Sequence, residues 1–212
     1  MATSPRTGRR PGRPADAGKR AAVLAAAQRL FLSNGFAGTS MDAISDAAGT
    51  SKLTAYKYFG SKQELFAAAV AAKCESAFVD IDVGTFADQD LRACLIGFGR
   101  AFLKLILDPG TMSVHHLVIV ERERAPELGR LFFDNAVRPT SEKLARIVAR
   151  HEAAGGISTG GDPILAAQDL LSLWRGRPAM LIELTGAPTD QSGLDRHVAH
   201  CVDLCLRAWE CR

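Results

Sequence analysis

Lysine, threonine and tyrosine are concentrated between Ser51 and Gln63, a stretch that contains no Asp or Glu. Their ammonium and hydroxyl groups can donate hydrogen bonds to phosphate oxygens and to base edges. If this stretch is helical, its outward side chains are Lys52, Leu53, Thr54, Tyr56 and Lys57. The pattern favours DNA binding, although charge patterning by itself is more typical of a polar helical surface that faces only water.

Two short helical patterns joined by a glycine position these side chains. Apolar residues recur on one side of residues 40–48, and Thr39 or Ser40 is placed to cap the first amides. Gly49 follows, and glycine adopts a positive φ at no steric cost. Ser51 can then cap the second helix. Short helix, glycine and short helix together predict a helix-turn-helix.

A third helix is predicted to begin at Ser61. Ser61 and Glu64 have the spacing of a capping box, in which each side chain bonds to a backbone amide near the other. Lys62 then lies in the first turn beside free amides, where anions bind readily. We therefore expect Lys62 to contact a phosphate.

The sequence offers no arrangement typical of an enzyme, because it lacks a nucleophile-base pair, a glycine-rich phosphate loop and a metal-ligand set. His115 and His116 are adjacent, so on a helix they point about 100° apart and suit one metal poorly. His197 and His200 can share a face, but no third ligand accompanies them. We expect no catalytic residue, no metal and no cofactor.

The block from about Ala15 to Ala77 resembles the N-terminal domain of the TetR family of bacterial transcriptional regulators. The match is carried by Phe31, Gly35-Phe36, Thr39-Ser40-Met41, Ile44, Ala47-Ala48-Gly49, Ser51-Lys52, Tyr56, Tyr58-Phe59, Ser61-Lys62 and Leu65-Phe66. The resemblance implies three helices, with the helix-turn-helix in the second and third, and a long fourth helix leading to a ligand-binding domain. It implies that the outward side chains named above face the major groove and that phosphates are held by Ser40, Thr50, Tyr58 and Lys62. The expected DNA-binding set is Thr39, Ser40, Thr50, Ser51, Lys52, Leu53, Thr54, Tyr56, Lys57, Tyr58 and Lys62, with Arg10 and Arg13.

Three residues depart from the family pattern. Leu53 stands where the family often has glycine, Ala55 where leucine is frequent, and Ser45 where alanine is usual. A leucine can contact a thymine methyl and so alter base preference, whereas a small residue at position 55 removes packing beneath the helix. Neither change disrupts the motif.

The first 14 residues form a basic arm that contains Arg6, Arg9, Arg10 and Arg13 among prolines and glycine. Such a composition cannot build a core, so the arm is expected to be disordered when free. It either inserts arginine into an A·T-rich minor groove or adds only non-specific attraction. Residues 1–62 carry ten Lys or Arg against three acids, a net +7 within a chain of net +3. DNA affinity should therefore be salt-dependent.

The rest of the chain shows helical periodicity and no alternating strand pattern, which predicts an all-α fold of about nine helices. Beyond the N-terminal motif, helices are expected at about 16–33, 61–78, 91–106, 112–124, 126–151, 163–185 and 192–210, with a bend or restart at Pro139 and a loop over 80–88. The strongest start signal is Asp162-Pro163, an N-cap followed by proline. The expected domains are a disordered basic arm (1–14), a DNA-binding domain (15–77) and an effector-binding and dimerisation domain (78–212).

The run from His115 to Phe133, with Asp162-Pro163 downstream, resembles the C-terminal domain of the AefR-like subgroup of the family. This resemblance implies a ligand or signal domain that dimerises through the last two helices. Apolar residues that could form the interface, or equally the core within one chain, are Leu165, Leu170, Leu173, Val198, Val202, Cys205, Leu206 and Trp209.

An effector pocket, if present, would lie among the four helices spanning residues 91–185. The candidate lining residues are Phe98, Phe102, Met112, His116, Val120, Phe133 and Trp174. Large apolar side chains with few polar groups favour a hydrophobic or amphipathic effector. For each of these residues, a place in the core is the simpler interpretation.

The five cysteines lack disulfide spacing, and Cys201 and Cys205 are better explained as buried structural thiols than as redox sensors. No apolar run approaches the roughly 20 residues needed to cross a bilayer, and the basic N-terminus lacks an apolar segment after it. A cytoplasmic protein without a membrane partner is therefore expected.

These patterns predict a homodimeric repressor that leaves a palindromic operator on double-stranded DNA when a small hydrophobic or amphipathic effector binds. By linkage, DNA and effector should weaken each other's binding equally. The alternative is an architectural, sequence-tolerant DNA-binding protein with no small-molecule effector.

Overall fold

A computed structural model describes residues 15–78, 90–188 and 190–209. The described residues are helical and contain no strand, which confirms the all-α prediction. The chain divides into two compact units, Met1–Ala69 and Val70–Arg212. None of the described helices is long and apolar enough to cross a membrane.

Unit 1 contains α1 (Ala15–Asn34), α2 (Met41–Ala47), α3 (Lys52–Phe59) and the first half of α4 (Lys62–Ala77). Its core is aromatic, because Phe31, Phe36 and Phe66 lie within 5.6 Å of one another by ring centroid. Aromatic pairs in these stacked and edge-on arrangements add to the free energy gained from burial alone. This cluster joins α1 and α4 and supports the turn that leads into α2.

Unit 2 contains the rest of α4 and six further helices. These are α5 (Leu91–Ile106), α6 (Pro109–Val120), α7 (Pro126–Phe132), α8 (Arg138–Ala153), α9 (Pro163–Thr185) and α10 (Gln191–Ala208). Four aspartates cap helices here, at positions 90, 108, 162 and 190, each accepting a backbone N–H from the first turn. The predicted start at Asp162-Pro163 is confirmed.

Helices α7 and α8 are joined by a π-helical turn over residues 133–137. Pro139 accounts for the π-helical turn, because proline has no N–H to donate to the carbonyl four residues earlier in the helix. The N–H of Arg138 donates instead to the carbonyl of Phe133, one residue further back than in an α-helix. If α7, this π-helical turn and α8 are counted as one continuous helix, the described residues contain the nine helices expected from the sequence.

Most of the core of unit 2 lies where α5, α8, α9 and α10 meet. Phe98 and Trp174 are fully buried there and stack with ring centroids 6.2 Å apart. Gly99 allows this contact, because a Cβ at that position would lie 2.7 Å from the indole ring. The predicted arm (1–14) and loop (80–88) lie outside the described residues.

Candidate nucleic-acid interface

The start of α2 is fixed by two neighbouring hydroxyl residues that act differently. Ser40 is exposed, and its Oγ accepts the N–H of Ala43 at 3.1 Å, a normal N-cap. Thr39 is only 2% exposed, and its hydroxyl is within hydrogen-bond distance of the carbonyls of Leu30 and Gly35. The Thr39 hydroxyl, expected to contact DNA, thus ties α2 to α1 and does not face solvent.

The turn between α2 and α3 has the expected construction. Gly49 has a φ of 62°, which favours glycine, and Ser51 caps α3 by accepting the N–H of Thr54 at 3.2 Å. The hydroxyls of Ser51 and Thr54 also bond to each other at 2.8 Å. Ser45 is buried, and its hydroxyl donates to the carbonyl of Met41, so its departure from the family pattern introduces no unsatisfied polar group.

Helix α3 has one buried side and one exposed side. Ala55 and Phe59 are buried against unit 1. Leu53 is 81% exposed and Tyr56 40%, and two lysines are exposed beside them. An exposed leucine flanked by lysines and a tyrosine provides both an apolar contact and hydrogen-bond donors for a DNA groove. The exposed residues of α3 are Lys52, Leu53, Tyr56 and Lys57, whereas Thr54 and Tyr58 are half-buried.

The charge of Lys52 is partly compensated inside the motif. Its Nζ lies 2.8 Å from Oδ1 of Asp42 on α2, and both side chains are about 60% exposed. The hydrogen bond and the charge of Asp42 raise the pKa of Lys52. Lys57 has no such acidic partner among the described residues. The sequence pattern gave no sign that a residue of α2 would pair with Lys52.

Lys62 lies at the start of α4, as expected, but its ammonium is engaged within the protein. Nζ donates to the carbonyls of Phe36 at 2.8 Å and Thr39 at 2.9 Å, and it lies 4.2 Å from the centroid of the Phe36 ring. Burial lowers the pKa of Lys62. Lys62 therefore joins α4 to the turn before α2, and one of its three N–H groups remains for a phosphate.

The other residues that were expected to contact DNA lie at the turn or outside the described part of the chain. Thr50 is half-buried at the turn, and Arg10 and Arg13 lie outside the described residues. Arg20 was not among the expected residues, although its guanidinium lies 5.0 Å from the centroid of Phe59 and supports α3 from α1.

The candidate effector residues in unit 2 form two groups. Phe98 and Phe102 each contact the ring of Trp174, and Phe102 is only partly buried at the edge of the core. Met112 is half-buried, whereas the other three are exposed: His116, Val120 (74%) and Phe133 (48%). The seven residues therefore do not line one enclosed space: three pack together in the core, one is half-buried and three are exposed.

Polar groups also lie on α6 and α9 of unit 2. The indole N–H of Trp174 is buried and has no acceptor among the described residues. His115 lies 5.8 Å from Phe132 by ring centroid, and burial, reinforced by the charge of Arg175, lowers its pKa. Arg175 donates to Glu183 at 3.1 Å. A buried donor without a partner costs free energy unless a ligand or water satisfies it.

Comparison with known proteins decides the family. The pattern described as "AefR-like transcriptional repressor, C-terminal domain" matches residues 93–211, and "Bacterial regulatory proteins, tetR family" matches residues 23–69. The chain belongs to the TetR family. It is therefore a transcriptional regulator with a DNA-binding domain, and its family and fold are not those of enzymes.

Two solved TetR-type structures resemble this chain over nearly its whole length. The "Flavonoid-responsive Regulator FrrA" is 34% identical, covers 92% of this chain and 99% of its own, and has a TM-score of 0.77. A TetR-family regulator from Mesorhizobium loti is 27% identical, with coverage of 93% and 100% and a TM-score of 0.78. The HTH-type regulator EthR of Mycolicibacterium smegmatis is 46% identical over 56 residues, which span 26% of each protein.

In this TetR-family chain, the apolar residues expected at the interface or in the core of the last two helices divide between both environments. Leu170, Val198, Val202, Cys205 and Trp209 are buried in the core of unit 2, while Leu165 and Leu173 are exposed. The largest exposed apolar residues near the end of α9, which sequence patterns did not identify, are Met180, Leu181 and Leu184 at 61%, 44% and 79%.

The thiols of α10 lie on its buried side. Burial raises the pKa of Cys201, and burial reinforced by the neighbouring Cys201 raises the pKa of Cys205 to about 11. A raised pKa suppresses the thiolate, which is the reactive form. This favours structural thiols over redox sensing.

Proposed function

We propose that this TetR-family regulator is a cytoplasmic homodimeric repressor. Its two copies of α3 bind a palindromic operator, and a small hydrophobic or amphipathic effector releases it. The description of the matching C-terminal domain as that of a repressor supports repression. The response of FrrA to flavonoids, stated in its name, supports a small organic effector for a chain 34% identical to it.

The exposed side of α3 carries the DNA part of the proposal. Leu53, Tyr56 and the neighbouring lysines point away from the buried residues Ala55 and Phe59. A helix of this length presents such side chains to three or four base pairs of a major groove. Ser40, Thr50, Ser51 and the remaining N–H of Lys62 are the proposed phosphate contacts, and Arg10 and Arg13 are proposed to extend them.

The effector part rests on the aromatic group of Phe98, Phe102 and Trp174. Phe98 and Trp174 are already buried, so an effector would have to open this part of the core, and an acceptor on it would satisfy the indole N–H. The dimer part rests on the apolar surface at the end of α9. A dimer that buries this surface would bring two copies of α3 to one operator.

The deciding experiment is selection of bound fragments from random DNA by the full-length protein. We expect palindromic fragments with half-sites about one helical turn, roughly 10 base pairs, apart. On such a fragment, Tyr56→Ala and Lys57→Ala should each weaken binding about tenfold or more without changing the thermal midpoint. Fragments without symmetry or a preferred sequence would favour the architectural alternative, and normal binding by both variants would show that α3 is not the recognition helix.

A further inference from the structure

Helix α9 is broken near its middle. Gly176 departs from helical geometry, with φ 10° and ψ −131°, and Pro178 follows two residues later. Each helical carbonyl normally accepts the N–H four residues ahead. Proline has no N–H, so Pro178 leaves the carbonyl of Trp174 without its helical partner. A carbonyl freed in this way beside a core requires another donor.

His197 of α10 supplies that donor. Its Nε2 lies 3.0 Å from the carbonyl oxygen of Trp174 and 3.1 Å from that of Leu173. Both partners can only accept, so Nε2 must carry a hydrogen. A side chain from a neighbouring helix thus replaces the backbone hydrogen bond that Pro178 removes.

A second link crosses the break within α9 itself. The guanidinium of Arg175, before Gly176, donates to the carboxylate of Glu183, after Pro178, at 3.1 Å. The Glu183 side chain is only 25% exposed, so water screens this pair less than a fully exposed one. The first half of α9 is therefore bonded to α10, and the two halves are bonded directly to each other.

The break separates a buried part of α9 from an exposed part. Before it, Trp174 is fully buried, stacked on Phe98 and close to Val198, the residue after His197. After it, Met180 and Leu184 belong to the exposed apolar surface at the end of α9. The Trp174 carbonyl, at the end of the first half of α9, is bonded to α10 through His197.

We propose that His197 is a positioning residue that holds α9 in its broken form and thereby sets the position of the apolar surface beyond the break. The inference rests on the proposed function, because it assigns that surface to the dimer and Trp174 to the effector site. It adds what holds the break between them, which is the donation from one imidazole to the carbonyls of residues 173 and 174.

The test combines three variants of the full-length protein labelled with 5-fluorotryptophan. The chain has two tryptophans, and Trp209→Phe serves only to assign their ¹⁹F resonances. His197→Leu removes the donor, so it should shift the Trp174 resonance, leave that of Trp209 in place and weaken the dimer about tenfold or more in sedimentation. His197→Gln keeps an N–H donor and should restore both readouts.

Pro178→Ala provides the matched rescue. It returns an N–H at position 178, so the effect of His197→Leu should fall by at least half in this background. An unchanged Trp174 resonance in His197→Leu, or an equal effect with and without Pro178→Ala, would overturn the inference. If His197→Leu does not fold, recovery of folding by adding Pro178→Ala supports the same role, and continued unfolding overturns it.

The two proposals can fail separately. A wild-type protein that does not dimerise would refute the proposed dimer, while the Trp174 resonance and its rescue would still test His197. Conversely, a wild-type dimer that binds its operator normally, with His197→Leu indistinguishable from it, would refute only the role of His197.

Discussion

At the scale of single residues, the ion pair between Asp42 and Lys52 determines how much positive charge α3 presents. The pair is exposed, so it contributes little to folding stability. The pair matters for DNA binding. Asp42 offsets the positive charge that Lys52 brings to a phosphate, so fewer counterions are released from the DNA. The free protein therefore presents fewer uncompensated cations on α3 than its sequence implies.

Replacing Asp42 with Asn should strengthen DNA binding. The change frees Lys52 and removes one negative charge, so we expect a three- to tenfold gain in affinity at low salt and a salt slope steeper by about one. Fluorescence anisotropy with a selected operator at several salt concentrations measures both. The matched control is Asp46→Asn, which removes an exposed acid of α2 that forms no ion pair among the described residues. Equal effects of both variants would exclude a specific role of the pair.

At the scale of elements, local signals predicted the helix starts well. Ser40, Ser51 and Asp162 cap their helices as expected, because a cap depends only on residues within one turn. Contacts between distant residues were not predictable in this way. Thr39 and Lys62 bond to carbonyls up to 26 residues away, which removes Thr39 from the surface and engages Lys62.

The break in α9 shows the same limit. Pro178 and Gly176 are visible in the sequence, yet the helix was expected to run uninterrupted to Thr185. The residue that makes the break tolerable is His197, which lies on another helix. Similarly, exposed and buried apolar residues of α9 and α10 could not be separated by periodicity, because both helices carry apolar side chains on more than one side.

The two sides of α3 should respond differently to substitution. Leu53→Ala changes a side chain that is 81% exposed, so stability should stay within about 0.5 kcal/mol while preference for thymine at one position of each half-site relaxes three- to tenfold. Ala55→Val enlarges a fully buried residue and should cost about 1–3 kcal/mol with base preference unchanged. Denaturant unfolding and binding to single-base operator variants measure these effects. If Leu53→Ala instead lowered stability and Ala55→Val changed base preference, the side of α3 that carries Ala55 would be the one that faces DNA.

At the scale of the whole molecule, specific binding to a palindrome needs two recognition helices held together. One copy of α3 supplies few base contacts, whereas two linked copies gain from a high effective concentration at the second half-site. Met180, Leu181 and Leu184 form an exposed apolar group near the end of α9. Exposed groups of this kind mark interaction surfaces.

Leu184→Arg should therefore separate dimerisation from folding. Leu184 is 79% exposed, so a charge there costs the free protein little but would be buried without a partner in the proposed dimer. We expect monomers in sedimentation, an unchanged helical CD spectrum, and a loss of at least a hundredfold in affinity for the full operator but not for an isolated half-site. Val120→Arg, at 74% exposure on α6, is the matched control and should remain dimeric. If Leu184→Arg remains dimeric while Val120→Arg dissociates, the interface lies on α6 and not at the end of α9.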